Sequence, residues 1–189
     1  MEGIQKTKAY GANRYIILTV VLSLFGWIFE TSYVFLRTGH FYDSGFLTTP
    51  ICPIYGCSLL AAYFFLGTPD ESGLFLKNTK MRAARYSLYL LFAFLIPTVA
   101  ELLVGFFFDG LLGVRLWSYE SVPLNYRGYI SLPVSVAWSG LIFLFMKYLF
   151  LPIKNTIGKL SDIAARPIAF FLLCLVAADL SLNFAQILF

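Results

Sequence analysis

The sequence predicts an all-α fold: a polytopic membrane bundle of five transmembrane helices, with a parallel internal repeat of two-helix units. Three observations carry this expectation. Apolar residues make up 59% of the 189-residue chain and charged residues only 13%, with a mean hydropathy of +0.78. Soluble chains are about half apolar and about a quarter charged, so this chain has too little polar surface to cover a water-facing globule. Its apolar residues fall into five runs of near-membrane length, and two segments that open such runs match each other. The length suits one transmembrane domain over residues 1–189.

A helix needs about 20 apolar residues to cross roughly 30 Å of hydrocarbon. The tail "MEGIQKTKAYGANR" is polar, and the apolar run behind it is full length with no small-residue cleavage site. Residues 15–36 therefore read as a retained first span rather than a cleaved signal. Residues 50–67 form the second and shortest span. Pro50 and Pro53 are expected in its first turn, where proline is tolerated. Residues 86–107, 130–151 and 167–189 supply the third, fourth and fifth spans.

Cations beside the spans set orientation. Lys6, Lys8 and Arg14 precede span one; Lys77, Lys80, Arg82 and Arg85 follow span two; Lys147, Lys154, Lys159 and Arg166 lie at or after the end of span four. The other side has only Arg37, Arg115 and Arg127. This predicts a multi-pass protein of the cell membrane, with a cytoplasmic N-terminus and an extracytoplasmic C-terminus. The net charge of +4 is thereby read as topology, not as a nucleic-acid surface.

The repeat rests on "GFLTTPICPIYG" from Gly45 and "GYISLPVSVAWSG" from Gly128. Both read glycine, aromatic, aliphatic, hydroxyl residue, any residue, proline. Each follows a span with a glutamate in its outward half, Glu30 or Glu101. Spans one and three point the same way, so the repeat axis would lie along the membrane normal, an arrangement in which sites often form between repeats. Just before its glycine, repeat one offers Asp43 and Ser44, whereas repeat two offers Asn125 and the cation Arg127.

The first block also reads Gly26-Trp27-x-x-Glu30-x-x-Tyr33, then Gly45-Phe46-Leu47-x-x-Pro50-x-x-Pro53-Ile54-Tyr55-Gly56. The second reads Trp117-Ser118-Tyr119, Asn125-x-x-Gly128-x-Ile130 and Trp138. Together, over roughly residues 20–145, they resemble the small bacterial membrane proteins of the Putative ABC-transporter type IV family, or ABC-transporter permeases. The chain departs from that pattern at Ser44, where arginine is favoured, and at Ser118, where Trp-Asp-Tyr is common. The resemblance implies membrane transport and a separate ATPase subunit as partner, but no particular substrate.

An ionised side chain at the bilayer centre costs at least about 2.5–3.5 kcal/mol, so such residues face a protein interior or cavity. Glu30 and Glu101 each lie about six residues from the outer end of their spans, roughly 9 Å deep at 1.5 Å per residue. Ser23, Gly26 and Glu30 share one helix face, as do Pro97, Glu101 and Gly105. Small residues there allow close helix approach. Two carboxylates at one level suit a proton or cation site; the alternative is structural, each glutamate pairing with Arg115 or Arg127 to lock helices. Asn125 and Arg127 are expected to close over this site, with Trp117 and Tyr55 beside it. Asp179, Asn183 and Gln186 form a polar stripe on span five, read either as interhelical glue or as a substrate path.

Other chemistry is excluded. GxxxxGK[ST], HExxH and a serine elbow are all missing, so the chain carries no ATP-hydrolysing P-loop or zinc-protease motif. A lone histidine, His40, supplies no multi-histidine metal site. Cys52, Cys57 and Cys174 lack zinc spacing and read as buried free thiols rather than a Cys52–Cys57 disulfide. No catalytic residue, metal or cofactor is implied. The partners expected are membrane lipid, an ATPase subunit and a second copy of the chain, with no nucleic acid. Against transport stand two other readings: an intramembrane enzyme on a lipid or lipid-linked substrate, with a glutamate as acid or base, and a regulatory membrane subunit.

Overall fold

The computed structural model describes residues 10–42, 45–71, 73 and 81–188. Asp43, Ser44, Lys6, Lys8, Lys77 and Lys80 lie outside the described residues. The elements run α1 (Ala12–Thr38), α2 (Pro53–Leu66), α3 (Arg82–Leu112), β1 (Asn125–Tyr126), β2 (Ile130–Ser131), α4 (Leu132–Tyr148), α5 (Phe150–Gly158) and α6 (Asp162–Leu188).

Helices α1 and α3 outlast their apolar runs because a helix continues until it is capped. Gly39 (φ 72°) and Gly113 (φ 67°) supply left-handed caps, a conformation that costs glycine nothing. The Gly39 amide donates to the Phe35 carbonyl at 2.8 Å. Helix α6 starts before its apolar run, with the Ser161 hydroxyl accepting the Ala164 amide at 3.2 Å, an N-cap bond. Helix α2 begins at Pro53, not Pro50. Cys52 precedes a proline and is extended (φ −105°, ψ 93°), as pre-proline residues are. Only Pro53 therefore sits in the first turn. The fourth run is broken into α4 and α5, bent by 45°. Pro152 explains the break, since its ring meets the carbonyl four residues back, at Tyr148.

By length and composition α1, α3 and α6 can each cross a membrane, and α4 with α5 adds a fourth if the bent pair is one span. Helix α2, at 14 residues, is roughly 21 Å long and shorter than the hydrocarbon core. Large apolar side chains face outward along these helices, Leu103, Phe170 and Phe171 among them, as suits lipid contact.

Helix α1 packs on α2, α5 and α6, and α3 packs on α2 and α4. The shared core includes Leu18, Leu22, Leu66, Tyr89, Met146 and Phe150. Small residues set the α1–α2 contact. A side chain at Gly56 would land on the Ser23 hydroxyl and the Thr19 carbonyl, and one at Gly26 would land on Tyr55. Arg14, read from sequence as an orienting charge, is buried. Its guanidinium donates to the Leu160 carbonyl at 2.7 and 3.2 Å and pairs with Asp162 at 2.7 Å. The starts of α1 and α6 are thus tied together, so the two helices run parallel.

Candidate functional site

The site is built on the Thr19–Ser23–Gly26–Glu30 face of α1. Gly56 and Gly26 let α2 approach closely enough to seat Tyr55 on α1. From there the Tyr55 hydroxyl reaches the Glu30 carboxylate as a donor. The extended Cys52 donates its amide to the Ser23 carbonyl at 3.2 Å and points its thiol at Glu30 Oε2, 3.8 Å away. Glu101 enters from α3, and Trp117 from the loop before β1. These side chains line one cavity of about 410 Å³, shared with Phe46, Cys57, Ser58 and Phe108. None of the three cysteines is in a disulfide, and only Cys52 is buried. The Glu101 carboxylate has no hydrogen bond or ion pair among the described residues; its electrostatic neighbours are Glu30, Tyr55 and Tyr119.

The loop between α3 and α4 is a packed cap rather than an open mouth. Trp117 Nε1 donates to the Tyr129 carbonyl at 2.8 Å, and the Tyr129 ring covers Gly105, where a Cβ would lie 2.9 Å from it. Arg115 pairs with Asp109 at 3.0 Å and also with Glu120. It does not reach the cavity glutamates. Burial, then the charges of Glu101 and Glu30, push the Tyr119 hydroxyl well above the usual tyrosine range. Tyr119 therefore stays a neutral donor beside the carboxylates, with the Trp138 indole bonded to its oxygen.

Of the sequence-derived residues, Glu30, Tyr55, Glu101 and Trp117 come together here. Asn125 does not line the cavity. It pins the hairpin, with Nδ2 donating to the Val122 carbonyl at 2.9 Å and Oδ1 accepting the Gly128 amide at 3.1 Å. Arg127 is exposed, left-handed (φ 51°) and lies over the Tyr126 ring at 5.8 Å. Asp179 is buried on α6 beside the cavity-lining Leu180 and grips the segment before α2. Its carboxylate accepts the Thr48 and Thr49 amides at 3.2 and 2.8 Å, the Thr49 hydroxyl at 2.6 Å and Asn183 at 2.8 Å. Gln186 is exposed. The sequence names Cys52 only as a buried thiol and Tyr119 only within Trp117-Ser118-Tyr119, and it places neither at the site. Alternation along an extended stretch, which puts 117 and 119 on one side, was the signal for Tyr119.

Asp179→Ala is expected to leave three donors of the part-buried 48–49 turn without their carboxylate and cost about 1–3 kcal/mol, the range for an unsatisfied group. Thermal unfolding in detergent would check this. An unchanged midpoint would mean that the 45–52 segment is held by its other contacts.

Chemically, the arrangement offers two carboxylates, phenol and thiol donors and aromatic walls. Among the described residues no group of three or more His, Cys, Asp or Glu side chains is placed to hold a metal ion. A family model described as Putative ABC-transporter type IV matches residues 17–184. No curated protein and no solved structure matches the chain.

Proposed function

The chain belongs to the Putative ABC-transporter type IV family, and from that membership we propose that it is a permease-type membrane subunit with a cation- or proton-binding site between two helix-pair repeats. One observation carries the site: Glu30 and Glu101 face one cavity, with no arginine or lysine among the described residues that line it. Carboxyl groups held in a membrane bundle without a countercharge mark a path or site more often than a lock. The chain has no P-loop of its own, so the energy source would be a separate ATPase subunit or an ion gradient.

The repeat gains support from matching contacts. Thr19 stands eleven residues before Glu30, and Leu90 eleven before Glu101. Gly56 stands eleven after Gly45, and Ser139 eleven after Gly128. Gly56 rests on the Thr19 carbonyl, and the Ser139 hydroxyl donates to the Leu90 carbonyl at 2.8 Å. The position before each, Tyr55 and Trp138, meets its counterpart with ring centroids 5.5 Å apart. Five crossings, α4 and α5 together forming the fourth and α2 sunk within the bundle, would make one transmembrane domain. The parallel α1 and α6 support opposite sides for the two termini, the N-terminus cytoplasmic by its cations.

A reporter active only in the cytoplasm, fused after residue 189, is expected to be silent; a signal there would remove the five-crossing reading. The function itself is tested by comparing metabolites and lipids of a deletion strain with its parent, complemented by the wild type or by Glu30→Gln with Glu101→Gln. A small solute that redistributes across the membrane, restored by the wild type alone, is the expected result. A changed lipid structure with normal solute distribution would favour intramembrane enzymology and overturn the proposal.

A further inference from the structure

Building on the carboxylate-pair reading, we propose that the cavity takes an organic monocation with an apolar body, such as an amine or a quaternary onium compound, rather than an inorganic ion or an anion. The walls decide the class. Among the described residues Glu30 and Glu101 are the only charged ones lining the cavity, and Phe46, Tyr55, Phe108 and Trp117 supply aromatic surface around them. Two carboxylates with no cation among the described lining residues repel phosphates and carboxylates. A bare divalent ion asks for six or more oxygen ligands, which this lining does not supply.

An organic cation satisfies both parts of the lining at once. Its charge sits against the carboxylates and aromatic faces, where cation–π attraction adds to Coulomb attraction. Its apolar groups replace water against the phenyl and indole rings. A volume of about 410 Å³ falls in the range of sites for drug-sized molecules. A second pocket of about 40 Å³, lined by apolar side chains such as Phe25, Phe29 and Phe145, lies against the same Tyr55 and Ser58. That pocket extends the apolar surface inward, along the axis on which a transported body would move.

Glu101 supplies the observation beyond the cluster itself. Glu30 is already bonded by Tyr55 and Cys52, whereas the Glu101 carboxylate lines the cavity with no hydrogen bond or ion pair among the described residues. The Tyr119 hydroxyl stays protonated beside it and cannot neutralise it. A donor cation brought by a ligand completes that side of the cavity.

The test is equilibrium dialysis of the full-length protein in neutral-lipid nanodiscs, with radiolabelled tetraphenylphosphonium and its near-isosteric anion tetraphenylborate. Saturable binding of one phosphonium per chain is expected, with only linear partition of the borate. Glu30→Gln or Glu101→Gln should weaken binding at least about tenfold, the equivalent of about 1.4 kcal/mol. Trp117→Ala should weaken it by a smaller factor. Phosphonium binding that is linear, or equal in both glutamine variants, overturns the proposal. Proton release into weak buffer on adding sodium ions, lost in the double variant, separates the two readings. If that release persists while phosphonium fails to saturate, the carboxylate pair stands as a site for small ions and the organic-cation class is wrong. If both signals are missing, the site reading falls as well. The phosphonium–borate comparison uses the wild type alone, so a variant that misfolds does not remove the test.

Discussion

Gly56→Ala is expected to be among the most damaging single-methyl additions to this chain, costing about 3 kcal/mol, the upper end of ordinary overpacking. The reason lies in what the methyl meets. A Cβ at Gly56 collides with the Thr19 carbonyl and the Ser23 hydroxyl. The first is backbone of a continuous helix and cannot swing aside. The second already donates to the Thr19 carbonyl at 2.8 Å, so displacing it breaks a bond as well. Helix α2 would have to retreat from α1, and α2 carries Tyr55 and the Cys52 cap onto Glu30. Melting in detergent should fall by roughly 6–12 °C for a chain of this size. Ser139→Ala at the matching position removes only one hydroxyl-to-carbonyl bond and should cost about 1 kcal/mol. Gly26→Ala differs again, since it strikes the Tyr55 side chain, which can move at the expense of its approach to Glu30. Equal melting losses for Gly56→Ala and Ser139→Ala would contradict the backbone-contact argument.

The helices were legible because apolar runs bounded by cations leave little choice of path, and their ends were blurred because capping glycines, not hydropathy, stop a helix. The co-location of Glu30 and Glu101 was legible from depth and helix face, two properties that the 3.6-residue period carries directly. The α4–α5 break was written in Pro152 but hidden by the surrounding leucines and phenylalanines, which keep the run apolar across the bend. The positions of Asn125 and Arg127 were not legible. Both sit in a hairpin whose direction depends on left-handed residues at Leu124, Arg127 and Gly128, and the loop's packing on Gly105 turns Trp117 inward and Arg127 outward. The partners of Asp179 were beyond reach for another reason: Thr48 and Thr49 lie about 130 residues away in sequence, and nothing local to either segment announces the pairing. Those contacts tie α6 to the non-helical segment before α2 rather than to another helix.

Glu30→Gln and Glu101→Gln should each abolish the activity that complementation restores while leaving the protein as stable as before or more so. The sign follows from partners. Removing one member of a buried ion pair strands the other charge and costs about 3–5 kcal/mol. Here the nearby arginines are engaged elsewhere: Arg115 with Asp109 and Glu120, Arg127 over Tyr126. A glutamine therefore strands nothing. It keeps the shape and still accepts a bond from Tyr55 or Cys52, while removing a charge whose insertion costs about 2.5–3.5 kcal/mol at a bilayer centre. Because the two carboxylates act on one cavity, their changes should not add. The second substitution should gain less stability than the first, since the repulsion between the pair is already gone. Melting of the two single variants and the double variant forms the cycle that measures this coupling. A melting point lowered by several degrees in either single variant would reveal a cation partner for that glutamate, and a double variant retaining full activity would remove the paired site as the working part of the protein.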